Sequence, residues 1–152
     1  MDGGREVSCQ WAELQVTSNF TFLVGASHPD ELVDRSALLG HDAIALTDTH
    51  TISGVVRGHV AAKRAGVSFV VGTRVSLLDG VLESTNVGSI QKAGISAVGC
   101  TVLLYPTDVA SYGRMCRLLT VGKRRTIKGG CLLWAHDLVE LNEGLLAVVL
   151  PP

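Results

Sequence analysis

The sequence has few aromatic residues, few charges and no long apolar run, and each shortage excludes a class of protein. Phe, Trp and Tyr make up 5% of the 152 residues, so small aliphatic side chains must fill most of the core. Apolar residues make up 47% and charged residues 18%, which excludes a largely disordered chain. No apolar run approaches the roughly 20 residues that a membrane helix needs, so no membrane partner is expected.

Charge of one sign and paired cysteines are also lacking. The net charge is −1, with 13 basic and 14 acidic residues, which gives no global electrostatic case for binding nucleic acid. No two cysteines form a C-x-x-C pair, and the chain is therefore expected to carry reduced thiols in the cytoplasm. The four cysteines are Cys9, Cys100, Cys116 and Cys131.

A stretch from Ala43 to Gly54 combines a buried strand with a polar corner. Its first four residues, Ala43 to Leu46, are apolar, as in a strand covered on both faces. Thr47-Asp48-Thr49-His50 follows, and a helical pattern starts directly afterwards. In parallel α/β proteins this kind of strand-to-helix corner holds ligands, so it is the first place to look for a site.

Strands and helices alternate along the rest of the chain. The predicted strands are Trp11–Val16, Val67–Val71, Thr73–Leu78, Thr101–Tyr105 and Leu145–Leu150. The predicted helices are one that starts after Ser27, then Ile52–Ala65, one from Asp108 to Gly122, and Ala135–Leu141. This alternation predicts an α/β fold with parallel strands and outer helices. The phosphate-binding glycine fingerprints of open sheets are missing, which favours part of a barrel.

Three further local predictions follow from turn and cap chemistry. Ser27 is predicted to cap the first helix. The second helix is predicted to bury a face formed by Val55, Val56, His59, Val60 and Ala62. Asp79-Gly80 predicts a two-residue hairpin turn. Residues 1–10 are predicted to be an N-terminal tail, and residues 11–152 are predicted to form one domain. Residues 83–99 lack a steady hydrophobic period and are predicted to be a surface insertion in that domain.

Four segments, in order, resemble the polymerase and histidinol phosphatase (PHP) domain at the start of bacterial C-family DNA polymerases. They are Glu13–Gly25, Ala43–Gly54, Tyr105–Arg125 and Glu143–Pro152. The error-prone type of alpha-like subunit is the most similar. The resemblance implies a distorted β/α barrel of the PHP type, of which this chain supplies a truncated N-terminal part.

In the resembled family, active members hold metal ions at the carboxyl ends of the strands and cleave phosphoesters. Their histidines and carboxylates suit zinc, manganese or iron. Carried over by resemblance, the ligand positions hold Gln15, Thr17, Val24, Thr49, Arg74 and Thr101. Valine cannot bind a metal, and arginine places a permanent positive charge where dications would lie. The resemblance therefore implies a degenerate metal site, and no metal cofactor is expected.

Two polar residues at the corner stay weak catalytic candidates. Asp48 is retained, although in the resembled family this position lies beside the ligands more than among them. His50 lies one residue past the expected ligand, so a displaced metal ligand and an Asp–His dyad are both open. The alternative is a loop histidine that forms local hydrogen bonds.

A basic run near the end of the third helix is open to three interpretations. It contacts a phosphate backbone, it is a solvated loop, or it contacts another domain of the same polymerase. The run consists of Lys123, Arg124, Arg125 and Lys128.

Three functional hypotheses follow. The preferred one is a structural and interaction module within an error-prone (translesion) DNA polymerase whose complete chain carries out replication and repair synthesis. The alternatives are a metal-dependent phosphoesterase or 3′–5′ exonuclease of the PHP family, and a nucleic-acid-binding module. The expected partner is the remainder of the polymerase, with DNA reached only through it, and the chain alone is expected to be inactive. A fragment, a split gene and a degraded copy all fit the sequence.

Overall fold

The computed structural model describes residues 11–78 and 98–151. The strands in this part of the chain are β1 (Ala12–Val16), β2 (Ala43–Leu46), β3 (Ser68–Val71), β4 (Thr73–Leu78), β5 (Val98–Pro106), β6 (Leu133–Trp134) and β7 (Leu145–Leu150). The helices are α1 (Pro29–Leu38), α2 (Val55–Ala65), α3 (Val109–Arg124) and α4 (Ala135–Leu141). The tail at residues 1–10, the turn at Asp79-Gly80 and residues 83–97 of the insertion lie outside the described residues. Val98 and Gly99 belong to β5.

The strands form two sheets. The first has the order β1-β2-β3 and is parallel throughout. The second has the order β6-β4-β5-β7, in which β6 is parallel to β4 while β5 is antiparallel to both of its neighbours. The α/β class with a parallel sheet is confirmed, but the alternation did not predict a mixed second sheet. Antiparallel neighbours need no crossover helix, so the pattern of alternation carries no information about them.

The polar corner after β2 joins the two sheets. Thr49 and Arg74 form an isolated parallel bridge between the end of β2 and the start of β4. The N–H of Arg74 donates to the carbonyl of Asp48 at 3.0 Å, and the N–H of His50 donates to the carbonyl of Arg74 at 2.8 Å. The corner therefore takes its shape from backbone hydrogen bonds rather than from side chains alone.

Three apolar clusters fill the interior. One lies between α3 and the second sheet and is centred on Val75, Leu104 and Met115. Another lies between α1, α2 and the first sheet and includes Val33 and Ile44. The smallest lies between the two sheets and is built from Ala45, Leu103 and Tyr105. The carboxyl ends of β1 and β2 rest on this packed frame.

The start of α1 differs from the prediction. The residue before the helix is His28, not Ser27, and its N–H donates to Oε2 of Glu31 at 2.7 Å. Pro29 then occupies the first turn, where no N–H partner is needed. The prediction of Ser27 was wrong by one residue, and Glu31 supplies the bond to the N-cap N–H that is typical of a capping box.

Helix α2 buries only part of the predicted face. Ala62 is buried as predicted, together with Gly58 and Ala61, whereas Val56, His59 and Val60 are exposed. A Cβ atom at Gly58 would lie 2.7 Å from the ring of Phe69. The helix approaches the sheet closely through its smallest side chains, so apolar size misled the prediction.

Helix α3 does not stop at Gly122 but continues to Arg124. Gly122 is buried inside the helix, and a Cβ atom there would lie 2.5 Å from Sγ of Cys131. The glycine therefore permits close packing instead of ending the helix. Lys123 and Arg124 consequently lie in the last helical turn, not in a loop.

Among the described residues, strand β7 forms one edge of the second sheet and pairs only with β5. Side chains on both of its faces are exposed, including Leu146 at 62% and Val149 at 65%. Within the described ranges, no helix is long and apolar enough to cross a membrane.

Candidate functional site

Asp48 is the most thoroughly bonded side chain of the polar corner. It is 2% exposed. Its Oδ1 accepts from the N–H of Ser18 at 2.8 Å and from the hydroxyl of Thr21 at 2.7 Å, and its Oδ2 accepts from the hydroxyl of Ser18 at 2.7 Å. Both carboxylate oxygens are therefore engaged by the loop that follows β1, so Asp48 ties that loop to the end of β2.

The ring of His50 is also held by a hydrogen bond within the protein. Its Nε2 accepts from the N–H of Ser76 at 3.0 Å, so in this geometry the neutral ring carries its proton on Nδ1. Burial, and after it the positive charge of Lys123, hold the pKa of His50 below its ordinary value of 6.5. The backbone of His50 is left-handed, with φ of 55°. Asp48 bonds Ser18 and Thr21 while His50 bonds Ser76, and within the described residues no hydrogen bond joins the two side chains.

The six positions that the resemblance assigned to metal ligands are only partly brought together. Thr49 and Arg74 face each other across their bridge, and Thr101 lies on β5 opposite Ser76. Val24 is exposed in the loop after β1, as is Gln15 on β1 itself, and Thr17 is half-buried directly after that strand.

The side chains at these positions do not fit a metal centre. Hydroxyl, amide and aliphatic groups replace imidazoles and carboxylates, and Arg74 adds a cation. Nε of Arg74 is buried with no hydrogen-bond partner among the described residues. In the same part of the chain, no three His, Cys, Asp or Glu side chains lie close enough to hold a metal ion. We therefore derive no metal-dependent step for this chain.

A cleft of about 620 Å³ lies beside these positions and shares only Thr49 with them. One side is formed by the loop after β1, with Phe20, Thr21 and Phe22. The floor is the polar corner, and the opposite side is the end of α3 with the loop that follows it. The remaining lining residues are Thr49, His50, Thr51, Lys123, Ile127, Lys128, Gly129 and Gly130.

The structure separates the members of the basic run. Lys123 and Lys128 line the cleft. Arg124 lies in a different groove, with Arg117 on the surface of α3. Arg125 is committed to an ion pair with Asp137. The four residues therefore do not act as one patch.

The ion pair of Arg125 fixes the loop that carries Lys128. Nη2 of Arg125 donates to Oδ1 of Asp137 at 2.8 Å, and Nη1 donates to Oδ2. The guanidinium also stacks 4.7 Å from the centre of the Trp134 ring. Burial alone would raise the pKa of Asp137, but the hydrogen bonds from Arg125 and from the N–H of Trp134 outweigh it and hold that pKa below 3.8. The ion pair thus joins the end of α3, where the loop begins, to α4.

Several residues of this region escaped the sequence reasoning. Ser18 and Thr21 bond Asp48 from a loop about 30 residues away, and no local pattern links them. No role was predicted for Phe20 and Phe22, which flank the buried Thr21 in this loop. Gly129 and Gly130, which follow Lys128 in the cleft wall, were not singled out.

Comparison with known proteins places this geometry among relatives. The PHP domain profile matches residues 13–148. An error-prone DNA polymerase of Rhodopirellula baltica is 43% identical over 141 residues, which are 93% of this chain and 11% of that protein. An error-prone DNA polymerase of Allorhizobium ampelinum is 39% identical over 142 residues, again covering 93% of this chain and 11% of the relative. This chain therefore spans about a tenth of the length of the curated relatives that it matches.

Solved structures with low sequence identity share the fold. A protein of Bifidobacterium adolescentis assigned as a metal-dependent phosphoesterase superposes with a TM-score of 0.55 at 17% identity, over 77% of this chain and 34% of the other. An amidohydrolase of Chromobacterium violaceum, solved with bound sulfate and no metal, gives a TM-score of 0.53 at 23% identity, over 74% and 33%. Both cover the larger part of this chain, so its strands and helices are arranged as in part of a larger domain.

Proposed function

Because the chain belongs to the PHP domain family, we propose that it serves as the N-terminal PHP segment of an error-prone DNA polymerase, as a structural and interaction module with a degenerate metal site. Its partner is the remainder of that polymerase, in the cytoplasm, and DNA synthesis belongs to the complete protein. The relatives at 43% and 39% identity support the placement.

The observation that carries the structural role is the bonding of Asp48. Ser18 and Thr21 donate three hydrogen bonds to Asp48, two to Oδ1 and one to Oδ2, so most of the roughly four acceptor positions of this carboxylate are used within the fold. The cation of Arg74 acts in the same direction, because it opposes the approach of dications. Under this proposal Asp48 stabilises the fold and does not take part in chemistry.

Metal content is the first test of the proposal. We expect the purified chain to hold no zinc, manganese or iron in stoichiometric amount, because the six replaced positions offer weak donors. Elemental analysis after dialysis measures this. One or more tightly held ions per chain would favour the alternative of a metal-dependent phosphoesterase or 3′–5′ exonuclease.

Catalysis is the second test. With added manganese we expect no hydrolysis of a phosphomonoester or of a single-stranded 3′ end above a no-protein control. If activity appears and is lost in both Asp48→Ala and His50→Ala, the displaced-ligand alternative is correct and the structural proposal fails.

The interaction role needs a test within a whole polymerase. In the Rhodopirellula baltica enzyme, the matching 141 residues are replaced by those of this chain. We expect a soluble chimera that extends a primer, whereas deletion of the segment yields an insoluble or inactive protein. A chimera that behaves no better than the deletion contradicts the proposal. A second chimera with Leu146→Lys and Val148→Lys on β7 tests whether that strand contacts the remainder.

A further inference from the structure

The loop after β1 presents two aromatic rings at the mouth of the cleft. Phe22 is 83% exposed and Phe20 is 42% exposed, although large apolar side chains on a surface loop gain nothing from water. Between them, Thr21 is buried and its hydroxyl bonds Asp48. The carbonyl of Thr21 also accepts from the N–H groups of Val24 and Gly25. The rings therefore project from a loop that is anchored at its centre.

The opposite wall of the cleft carries positive charge without compensation. Lys123 and Lys128 line it, and within residues 11–78 and 98–151 neither lysine has a carboxylate at ion-pair distance. No Asp or Glu is among the lining residues. The charge of Lys123 reaches into the cleft, since it lowers the pKa of His50 on the floor. Local charge, rather than the net charge of −1, decides what this surface attracts.

We propose that this cleft binds single-stranded nucleic acid without a metal ion, with bases stacked on Phe20 and Phe22 and phosphates paired with Lys123 and Lys128. Flat aromatic rings beside a basic wall are the two features that single-strand sites combine. A duplex keeps its bases stacked on one another and offers the rings no free face, so the cleft prefers unpaired strands. Thr49, Thr51 and His50 supply polar groups between the two walls.

The inference is independent of the proposed structural role. The cleft includes Thr49, which is one of the six positions that hold metal ligands in the resembled family. Nucleic-acid binding requires no reaction at any of those six positions. Failure of nucleic-acid binding leaves the metal analysis and the chimera unaffected, and a failed chimera leaves the binding measurement unaffected.

The test is fluorescence anisotropy of a labelled twelve-nucleotide oligothymidine with the 152-residue chain at low and moderate salt. We expect Phe22→Ala to weaken binding about 5- to 100-fold, the range for losing one stacked base. Lys123→Ala with Lys128→Ala should lower the slope of log affinity against log salt by roughly 1.4, for two phosphate contacts on a single strand. All three side chains are exposed or at the cleft surface, so the variants should fold, which circular dichroism checks.

Matched controls distinguish binding in this cleft from nonspecific electrostatic attraction of the oligonucleotide to the protein surface. Arg117→Ala with Arg124→Ala removes the same charge from another groove of α3, and Val109→Ala removes an exposed apolar side chain elsewhere. Both should bind like the parent. An abasic oligonucleotide of equal length should bind the parent more weakly and be insensitive to Phe22→Ala, because it keeps phosphates but offers no base.

Three results would overturn the inference. The parent binds no oligothymidine at low salt; or it binds duplex equally well and Phe22→Ala changes nothing; or the two arginine substitutions weaken binding as much as the two lysine substitutions. Loss of function of the polymerase chimera by Phe22→Ala, with no oligonucleotide binding by the parent chain, would identify the cleft as a protein contact instead.

Discussion

At the scale of single residues, Asp48 shows how neighbours decide the task of a carboxylate. Its position was identified from the sequence, but its partners were not. Because Ser18 and Thr21 surround it with donors, its charge is offset by hydrogen bonds within the chain and needs no cation. The residue thus contributes to stability where the resemblance suggested proximity to a metal.

Asp48→Ala should lower the unfolding free energy by about 2–5 kcal/mol, because it leaves buried donors of Ser18 and Thr21 without an acceptor. Urea unfolding in the presence of a chelator measures the loss, and Asp48→Asn should fall between the parent and the alanine variant. Asp34→Ala is the control, since its ion pair with Arg64 is exposed to solvent and should contribute little to stability. If both alanine variants lost the same unfolding free energy, the buried hydrogen bonds of Asp48 would contribute no more to stability than an exposed ion pair.

His50 should make the stability depend on pH in one direction. Its pKa is below 6.5 in the folded state, because burial and Lys123 disfavour the charged ring, and close to 6.5 in the unfolded state. The unfolded state therefore binds the proton more tightly. The contribution of His50 is fully present above pH 6.5 and is lost as the pH falls from there through the folded pKa.

Unfolding free energies between pH 5 and 8 measure this dependence. His50→Asn removes the titrating group while keeping a residue that tolerates a left-handed backbone, so it should flatten the curve below pH 6.5. His59→Asn, at an exposed site on α2, is the matched substitution with which the change in the curve is compared. A steeper curve in His50→Asn would mean that the histidine is stabilised when charged.

At the scale of elements, the sequence predicted which helices and strands form better than it predicted how they pack against one another. The bounds of α4 and β7 agree with those predicted because each lies between clear signals, an apolar run or a helical pattern bounded by turn residues. Part of the buried face of α2 and the end of α3 were missed because small residues mark them. A glycine that permits close approach and a glycine that ends a helix look alike until the neighbouring strand is known.

Two glycines of α3 offer a matched pair of substitutions. Gly122→Ala should destabilise the protein by about 1–3 kcal/mol, because the new Cβ atom would overlap Cys131 and Leu133. Gly113→Ala should stabilise it by about 0.5–1 kcal/mol, since nothing lies within 4 Å of that position and alanine is the better helix former. Thermal unfolding of both variants gives the signs. Stabilisation by both would show that Cys131 and Leu133 leave room for a Cβ atom at position 122.

At the scale of the whole molecule, the two sheets meet through a small cluster and a few backbone bonds. Ala45, Leu103 and Tyr105 form that cluster, and the hydroxyl of Tyr105 donates to the carbonyl of Leu14 at 2.6 Å. Periodicity reports which residues are apolar but not which sheet they face, so this junction was beyond the sequence. The open side of the second sheet, by contrast, was expected from the resemblance to a larger barrel.

Strand β7 should make residues 1–152 associate with one another or unfold easily when they are isolated. Its sequence is apolar and uncharged, its one partner in the part of the chain that the structure describes is β5, and side chains on both faces are exposed. An edge of this kind accepts another strand, and burying it would offset part of the entropy lost on folding. Size-exclusion chromatography should show self-association, which the pair Leu146→Lys and Val149→Lys should reduce and Val139→Lys on α4 should not.

Thermal unfolding of residues 1–152 should be broad, and the unfolding transition of the same residues within the polymerase chimera should be sharper. A clean monomer with a sharp, cooperative transition would show instead that these residues form a complete domain, since an uncovered apolar edge and a fully stable monomer are hard to reconcile.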